Sequence, residues 1–207
     1  MTATDTKTRR AEQKAQRRQD ILDAAIELWA VKGSHATGIT EVAQRAGMTH
    51  AGLLHHFGSK ANLRLAVMQE RDRRDAQILQ RYFEEGDIDT LWDHYPDVAR
   101  ANENEPGLAR LFIVLVAESL DPESVGHDYF QRRYRHTRRR QYQALRRAQK
   151  QGRILPDVDC KSKAAEIVAF MDGALIQWML DPRPGQLVAL YDDFFNMLRE
   201  AISSPSP

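Results

Sequence analysis

The chain has 207 residues, of which 42% are hydrophobic, and it contains one cysteine, a composition that excludes wholesale disorder, a disulfide framework and multi-cysteine zinc patterns. It has no apolar run of 18 residues and begins with a polar segment, so we expect a cytoplasmic protein with no membrane span. The net charge of +1 divides unevenly: residues 1–64 hold ten Lys/Arg against six Asp/Glu, and residues 65–207 hold twenty against twenty-three. A basic first part on a slightly acidic body indicates a region that faces nucleic acid.

Apolar residues recur at spacings of three and four, which predicts an all-α fold. Residues 1–16 are expected to form a flexible basic arm. A first helix is predicted over residues 17–32, with Gly33 as its C-terminal cap. Two short helices follow over residues 39–46 and 49–57, and Ser59 is predicted to cap a long helix that ends near residue 85.

The remaining pattern predicts a helical body over residues 65–203. A helix is predicted near residues 88–99, and a largely apolar one starts at Pro106 and stops before Pro122. Long helices are predicted over residues 123–151, over residues 160–180 behind an Asp159 cap, and over residues 186–203. Residues 204–207 are expected to form a loose tail.

Residues 38–57 have the spacing of a helix-turn-helix. Gly47 can take the tight turn between the two short helices. Apolar Val42, Met48, Leu53 and Phe57 sit where the helix pair must close on itself and on Trp29. In such a motif the second helix enters the major groove and reads base edges, while nearby groups hold phosphates.

With its flanking residues, this segment closely resembles the TetR family of one-component transcriptional repressors. The resemblance is carried by an Ile-Leu-x-Ala-Ala helix, Val42-Ala43, Ala46-Gly47, Phe57-Gly-Ser-Lys60 and Leu63, and it covers residues 17–67 strongly. It implies an N-terminal three-helix DNA-binding domain over residues 17–64 and a C-terminal helical domain for ligand binding and dimerisation. The implied protein is a homodimeric repressor that a small-molecule effector releases from palindromic double-stranded operator DNA.

The family pattern implies which side chains meet DNA. His50, Ala51 and Gly52 would face bases, and the groups facing the backbone or the groove edge would be Thr40, Arg45, Thr49, His55 and Lys60. Two positions depart from the pattern, since Gly38 stands where Ser or Thr usually caps the second helix, and Leu54 replaces a phosphate-binding tyrosine. An ordinary helical hairpin is the alternative interpretation of the segment.

The final predicted helix carries more apolar surface than one internal contact needs, and small residues at four-residue spacing on the helix before it permit close helix approach. We therefore expect a four-helix dimer contact. Its predicted residues are Ala169, Gly173, Ile176, Leu187, Tyr191, Phe194 and Leu198. A monomeric core is the alternative, because periodicity does not say which molecule supplies the partner face.

Aromatic and sparse polar side chains on the middle helices are candidates for an effector pocket. They are Trp92, Tyr95, Phe112, Val116, Glu118, Tyr134, Phe170, Asp172, Gln177 and Trp178. Each aromatic could equally be core, and a buried Glu118 or Asp172 could anchor an effector or meet an arginine.

Other functions are less well supported by the sequence. Residues 127–153 hold ten Arg/Lys and one Asp, which indicates an exposed helix face or a second nucleic-acid surface. Cys160 has no resolving partner, so an inert thiol is favoured over a redox sensor. We find no phosphate loop, metal spacing or nucleophile with its base, so we expect neither an enzyme nor a cofactor or metal. A helical adaptor that binds only protein remains the other alternative.

Overall fold

The computed structural model describes residues 3–84 and 87–204, without the side chains of residues 3–7 and 78. This part of the chain is helical and contains no strand, which confirms the all-α prediction. The helices are α1 (Ala3–Lys32), α2 (Ile39–Arg45), α3 (His50–Phe57), α4 (Lys60–Glu84), α5 (Ile88–Asp93), α6 (Tyr95–Asn104), α7 (Pro106–Glu118), α8 (His127–Lys150), α9 (Cys160–Leu180) and α10 (Gln186–Ile202).

Three predicted boundaries are wrong. Helix α1 begins at Ala3, so residues 3–16 continue the first helix where a flexible arm was expected. The helix near residues 88–99 is two helices, because the chain turns at His94 between α5 and α6. Helix α8 starts at His127, since residues 119–126 form turns. The predicted tail lies outside the described residues beyond Ser204.

The predicted caps hold the helix ends. Ser59 Oγ accepts a hydrogen bond from the amide of Asn62, and Asp159 accepts from the amides of Lys161 and Ser162. Such N-caps satisfy amides that the first helical turn leaves without partners. Gly47 has a φ of +66° in the turn between α2 and α3, a conformation that glycine adopts without strain.

Helices α1 to α3 and the first turns of α4 pack around one end of a hydrophobic core that continues into the body. At this end its fully buried members are Ile21, Ala25, Trp29, Val42, Leu53, Leu63 and Val67. The N-terminal part of α4 belongs to this core, and the same helix continues into the body as far as Glu84. One rigid element therefore joins the two parts of the molecule.

The second connection is a close crossing of α1 and α7. A Cβ built on Gly107 would lie 1.8 Å from the carbonyl oxygen of Trp29 and 2.5 Å from that of Ala30. Only glycine allows the two backbones to approach this closely. One side of α7, with Leu108, Leu111, Phe112 and Leu115, is buried in the body, whereas Arg110, Ala117 and Glu118 are exposed, so the prediction of a helix apolar and buried on almost every side is only partly confirmed.

Candidate DNA-binding surface and body cavities

Helices α2 and α3 form the helix-turn-helix that the sequence predicted. Val42 and Ala43 of α2 and Leu53 and Phe57 of α3 are buried, which fixes the angle between the two helices. Thr49 caps α3, with its side-chain oxygen accepting from the amide of Gly52 at 3.1 Å. The cap uses the hydroxyl that the family resemblance directs to the DNA backbone.

The outer face of α3 is open at its N-terminal end. His50, Ala51 and His55 are exposed, and Gly52 between them is half-buried. Thr40 Oγ1 lies 3.1 Å from His50 Nδ1, so the imidazole is oriented by α2. These side chains lie together on the exposed side of α3, where a recognition helix contacts base edges.

The two cationic side chains predicted at the backbone or the groove edge, Arg45 and Lys60, also have protein partners. Arg45 is held by both carboxylate oxygens of Glu27, with its Nε 3.0 Å from Oε2. Lys60 Nζ donates to the carbonyl of Thr37 at 3.0 Å, and partial burial followed by the nearby Arg64 lowers its pKa. Each cation can still meet a phosphate, since Arg45 is exposed and the Lys60 ammonium has three donors.

The predicted effector residues do not converge on one site. Trp92 and Phe112 are core residues, and Trp178 is buried with its indole nitrogen donating to the carbonyl of Arg183. Gln177 is exposed. Glu118 is also exposed, so the expectation of a buried carboxylate there is wrong, but it pairs with Arg64 at 3.2 Å, which confirms the alternative that it meets an arginine.

Asp172 fits the expectation of a buried carboxylate with a partner better than Glu118 does. It accepts a hydrogen bond from Tyr134, and burial raises its pKa. Phe170 stacks on Phe194 with ring centroids 3.7 Å apart, so it contributes to the contact between α9 and α10. Among the predicted pocket residues, Val116 and Tyr134 line one opening of about 480 Å³ beside α8, and Tyr95 lines another.

The opening at Tyr95 is a cavity of about 180 Å³ between α4, α6, α8 and α9, called here the central cavity. It is lined by Asp72, Asp75, Ala76, Leu79, Phe83, Tyr95, Val98, Arg133, His136, Thr137, Arg140, Gln141 and Met171. A groove of about 420 Å³ shares Phe83, His136 and Arg140 with it. The sequence analysis did not identify the α4 residues that line the central cavity. Asp72, Ala76, Leu79 and Phe83 nevertheless follow helical spacing on one face.

Polar side chains of the central cavity are connected across helices. Arg133 Nε on α8 donates to Asp72 on α4 at 2.7 Å, and Tyr129 donates to the same carboxylate. Gln141 donates to the hydroxyl of Tyr95. Asp75 faces Arg71 Nε at 3.5 Å, and burial raises the pKa of this carboxyl group. The cavity therefore combines apolar walls with a few fixed polar groups.

Helices α9 and α10 sort their apolar residues onto two faces. Leu187, Tyr191 and Leu198 are buried in the chain's own core, so predicting these three as dimer contacts was wrong. Ile176 is 45% exposed and Met197 60% exposed. The outward apolar surface, called here the outer stripe, consists of Ala165, Ala169, Ile176, Leu180, Leu190 and Met197, beside half-buried Gly173 and Phe194.

The described residues contain neither a membrane-spanning helix nor a metal-ion site. No helix among them is long and apolar enough to cross a membrane. Nor does this part of the chain bring together three His, Cys, Asp or Glu side chains that could hold a metal ion. Cys160 is buried, and burial raises the pKa of its thiol.

Two family models match the chain. Residues 21–67 match the model described as bacterial regulatory proteins, tetR family. Residues 97–200 match the model described as BetI-type transcriptional repressor, C-terminal. The first match covers the helix-turn-helix, and the second covers half of the chain within the helical body.

Individual proteins match either one short segment or nearly the whole chain. The HTH-type transcriptional activator FasR of Mycolicibacterium smegmatis is 46% identical over 54 residues, which span 26% of this chain and 25% of that protein. The HTH-type transcriptional repressor Rv1474c of Mycobacterium tuberculosis is 25% identical over 90% of this chain and 95% of its own. The structure of SmeT from Stenotrophomonas maltophilia in complex with triclosan superposes with a TM-score of 0.73 at 21% identity, covering 92% of this chain and 93% of that one.

Proposed function

Because this chain belongs to the TetR family of bacterial transcriptional regulators, we propose that it is a homodimeric repressor that leaves its operator when a small molecule binds in the body. The observation that carries the DNA-binding part is the exposed N-terminal end of α3. There His50, Ala51 and Gly52 project beside a turn fixed by Gly47. Repression is supported by the name of Rv1474c, which matches nearly the whole chain, whereas the FasR match is confined to a quarter of it.

The first experiment separates base reading from phosphate binding. Affinity is measured for DNA that flanks the protein's own gene, for single-base variants of the protected site and for random duplexes, across a salt series. His50→Ala should relax the preference at one base position of each half-site by about 1–3 kcal/mol, with little change in salt dependence.

Lys60→Ala should weaken specific and random binding alike and reduce the salt slope by about one unit per protomer. Circular dichroism controls for folding, since this variant also loses the hydrogen bond to Thr37. In a footprinting experiment on the DNA that flanks its own gene, the parent protein must protect an inverted repeat. Reversed effects of the two variants would contradict the docking proposed here.

The dimer is proposed to form through the outer stripe of α9 and α10. Exposed apolar side chains on adjacent turns of two packed helices match the four-helix contacts of helical dimers. A dimer is also needed to hold two recognition helices about 34 Å apart on one face of the duplex. Phe194 is a poor probe of this contact, because it also stacks on Phe170 inside the protomer.

Met197→Glu is the sharper probe of the dimer, because Met197 is largely exposed within the protomer. It should give monomers in light scattering while leaving the helical content unchanged. Leu120→Glu, which changes an exposed leucine at the end of α7, is the matched control and should stay dimeric. If light scattering gave the same molar mass for Met197→Glu and Leu120→Glu, the dimer interface would not lie at the outer stripe.

The effector is proposed to bind in the central cavity and its adjoining groove. Together their volumes fall in the range of about 300–1,000 Å³ that is usual for small-molecule sites. Helix α4 supplies Asp72 to Phe83 to the cavity wall and Lys60 to the DNA-binding unit. A ligand that displaces α4 would therefore move the DNA-binding unit, which gives a physical route from binding to release.

A thermal-shift screen tests this part, with triclosan, the ligand of the SmeT complex, as the first compound. A ligand at 100 times its dissociation constant should stabilise the protein by about 2.7 kcal/mol. Ala76→Phe should fill the cavity and abolish this stabilisation while leaving operator binding intact. A body ligand that left operator affinity unchanged would refute the proposed release.

A further inference from the structure

The N-terminal part of α1 extends beyond the core of the DNA-binding unit. The first fully buried residue of the helix is Ile21, and the described side chains before residue 19 are exposed. From Arg10 to Ile21 the helix rises about 16 Å at 1.5 Å per residue. Over this length the described side chains from Arg9 to Arg18 stay exposed, and they contribute nothing to the buried core.

The charges on this segment lie on separate faces. At 100° per residue, Arg10, Lys14 and Arg17 all point within about 40° of the direction of Ile21, and Arg18 points within about 60°. Glu12 points about 180° away from them, and Arg9 about 120°. Arg10, Lys14, Arg17 and Arg18 therefore form a continuous row, called here the basic stripe.

The basic stripe lies on the side of α1 that faces the recognition helix. Arg18 Cζ is 5.0 Å from the ring centroid of Phe57, at the C-terminal end of α3. Burial lowers the pKa of His56 in the same turn, and neighbouring His55 lowers it further. The positive charges of Lys14, Arg18 and Arg17 also lower this pKa, so they lie close to the end of α3. Among the described side chains, no carboxylate pairs with a member of the stripe, so these charges are available to an external anion.

We propose that the basic stripe is a second DNA-contacting element, which binds phosphates beside the groove that α3 enters. Its length from Arg10 to Arg18, about 12 Å, suits two or three phosphates along one strand. Because the contacts are to phosphate, they add affinity and orientation without reading sequence. The inference rests on the proposed function, since it requires that α3 approaches duplex DNA.

The test measures binding to operator and random duplexes over a salt series. The triple variant Arg10→Gln, Lys14→Gln, Arg17→Gln keeps helix-favouring side chains and removes three charges. It should lower the salt slope by about 2.7 per protomer and weaken both duplexes equally, which leaves the ratio of operator to random affinity unchanged.

Two controls isolate the stripe. Arg9→Gln removes a neighbouring charge that points away from it, and the α8 variant Arg135→Gln, Arg138→Gln, Arg139→Gln removes three exposed charges from the body. Both controls should keep the parent's slope. The inference is overturned if the triple variant also keeps that slope, or if the α8 variant lowers it equally.

The parent protein separates the two possible failures. If it does not prefer an inverted repeat over random DNA, the proposed function fails, and the slopes on random duplex still evaluate the stripe. If it prefers the repeat and the triple variant behaves as the parent does, only the stripe is refuted. Far-UV circular dichroism verifies that every variant keeps the helix.

Discussion

The DNA-binding unit and the body use charged side chains in opposite ways. In the first unit, the pairs Arg45–Glu27 and Lys32–Glu41 lie at the surface. In the body, Asp72 and Arg133 are mostly buried and join α4 to α8. Exposed pairs contribute little to stability, whereas breaking a buried pair leaves an uncompensated charge. The Arg45 and Lys32 pairs thus leave their charges exchangeable for DNA phosphates, whereas the Asp72–Arg133 pair holds two helices together beside the central cavity.

The largest expected effect lies where the two regions meet. In Gly107→Ala, the new Cβ would clash with the backbone oxygens of Trp29 and Ala30, so α7 must move away from α1. We expect a loss of about 3 kcal/mol or more in the free energy of unfolding, measured by urea denaturation.

Gly173→Ala on α9 is the control for that crossing, since no described residue outside its own helix lies within 4 Å of its Cβ position. Because Gly173 borders the outer stripe, both glycine variants are compared in the Met197→Glu background, where the proposed dimer contact is broken. A helical Gly→Ala change without clashes should be neutral or stabilising. If Gly107→Ala is as stable as the parent, the two regions are not in close backbone contact.

The next effect tests the buried pair of the body. Asp72→Asn leaves Arg133 without its carboxylate and weakens the hydrogen bond from Tyr129. We expect a loss of about 2–4 kcal/mol, because the partly buried guanidinium keeps its charge. The same variant should weaken effector binding, since Asp72 and Arg133 both line the central cavity. An unchanged denaturation midpoint would mean that water screens this pair as it screens the surface ones.

A smaller, pH-dependent effect is expected at Glu70, which lies on α4 between the two regions. Hydrogen bonding to Arg73, and further to Arg74, lowers its pKa from 4.5 to about 2, and Arg74 also binds Asp23 of α1. Because the folded-state pKa is depressed, the stabilisation is present above about pH 4.5 and is lost as the pH falls towards 2.

Glu70→Gln should therefore lower the thermal midpoint at pH 7 by about 2–4 °C, with the difference from the parent disappearing near pH 2. Thermal scans of both proteins at several pH values provide the measurement. A difference that persists unchanged at low pH would show that packing, not charge, accounts for it.

The smallest stability effect belongs to the surface pair. Glu27→Gln should leave the thermal midpoint almost unchanged, because Arg45 and Glu27 are both largely exposed. It should strengthen DNA binding by about two- to fivefold, because it releases the Arg45 guanidinium and removes a negative charge near the duplex. Weaker operator binding would mean that Glu27 positions Arg45 rather than competing for it.

The sequence by itself determined the DNA-binding unit, because its signals are local. Gly47 and the buried positions Val42, Leu53 and Phe57 act over less than twenty residues, and Ser59 caps the helix that follows. Short-range hydrogen bonds and helical spacing leave few arrangements for such a segment. The caps, the turn and the exposed face of α3 therefore lie where the pattern placed them.

Only the tertiary structure decided which residues of α10 are buried and where the central cavity lies, because both depend on which face of a helix meets which partner. Helix α10 is apolar on two sides, and periodicity did not show that Tyr191 and Leu198 point inward while Met197 points outward. The central cavity is formed by helices up to about a hundred residues apart, whose polar groups Asp72, Arg133 and Tyr95 meet only after packing. Contacts between residues so far apart leave no local pattern in the sequence. Helix propensity and capping do leave one, because they act between residues that are close along the chain.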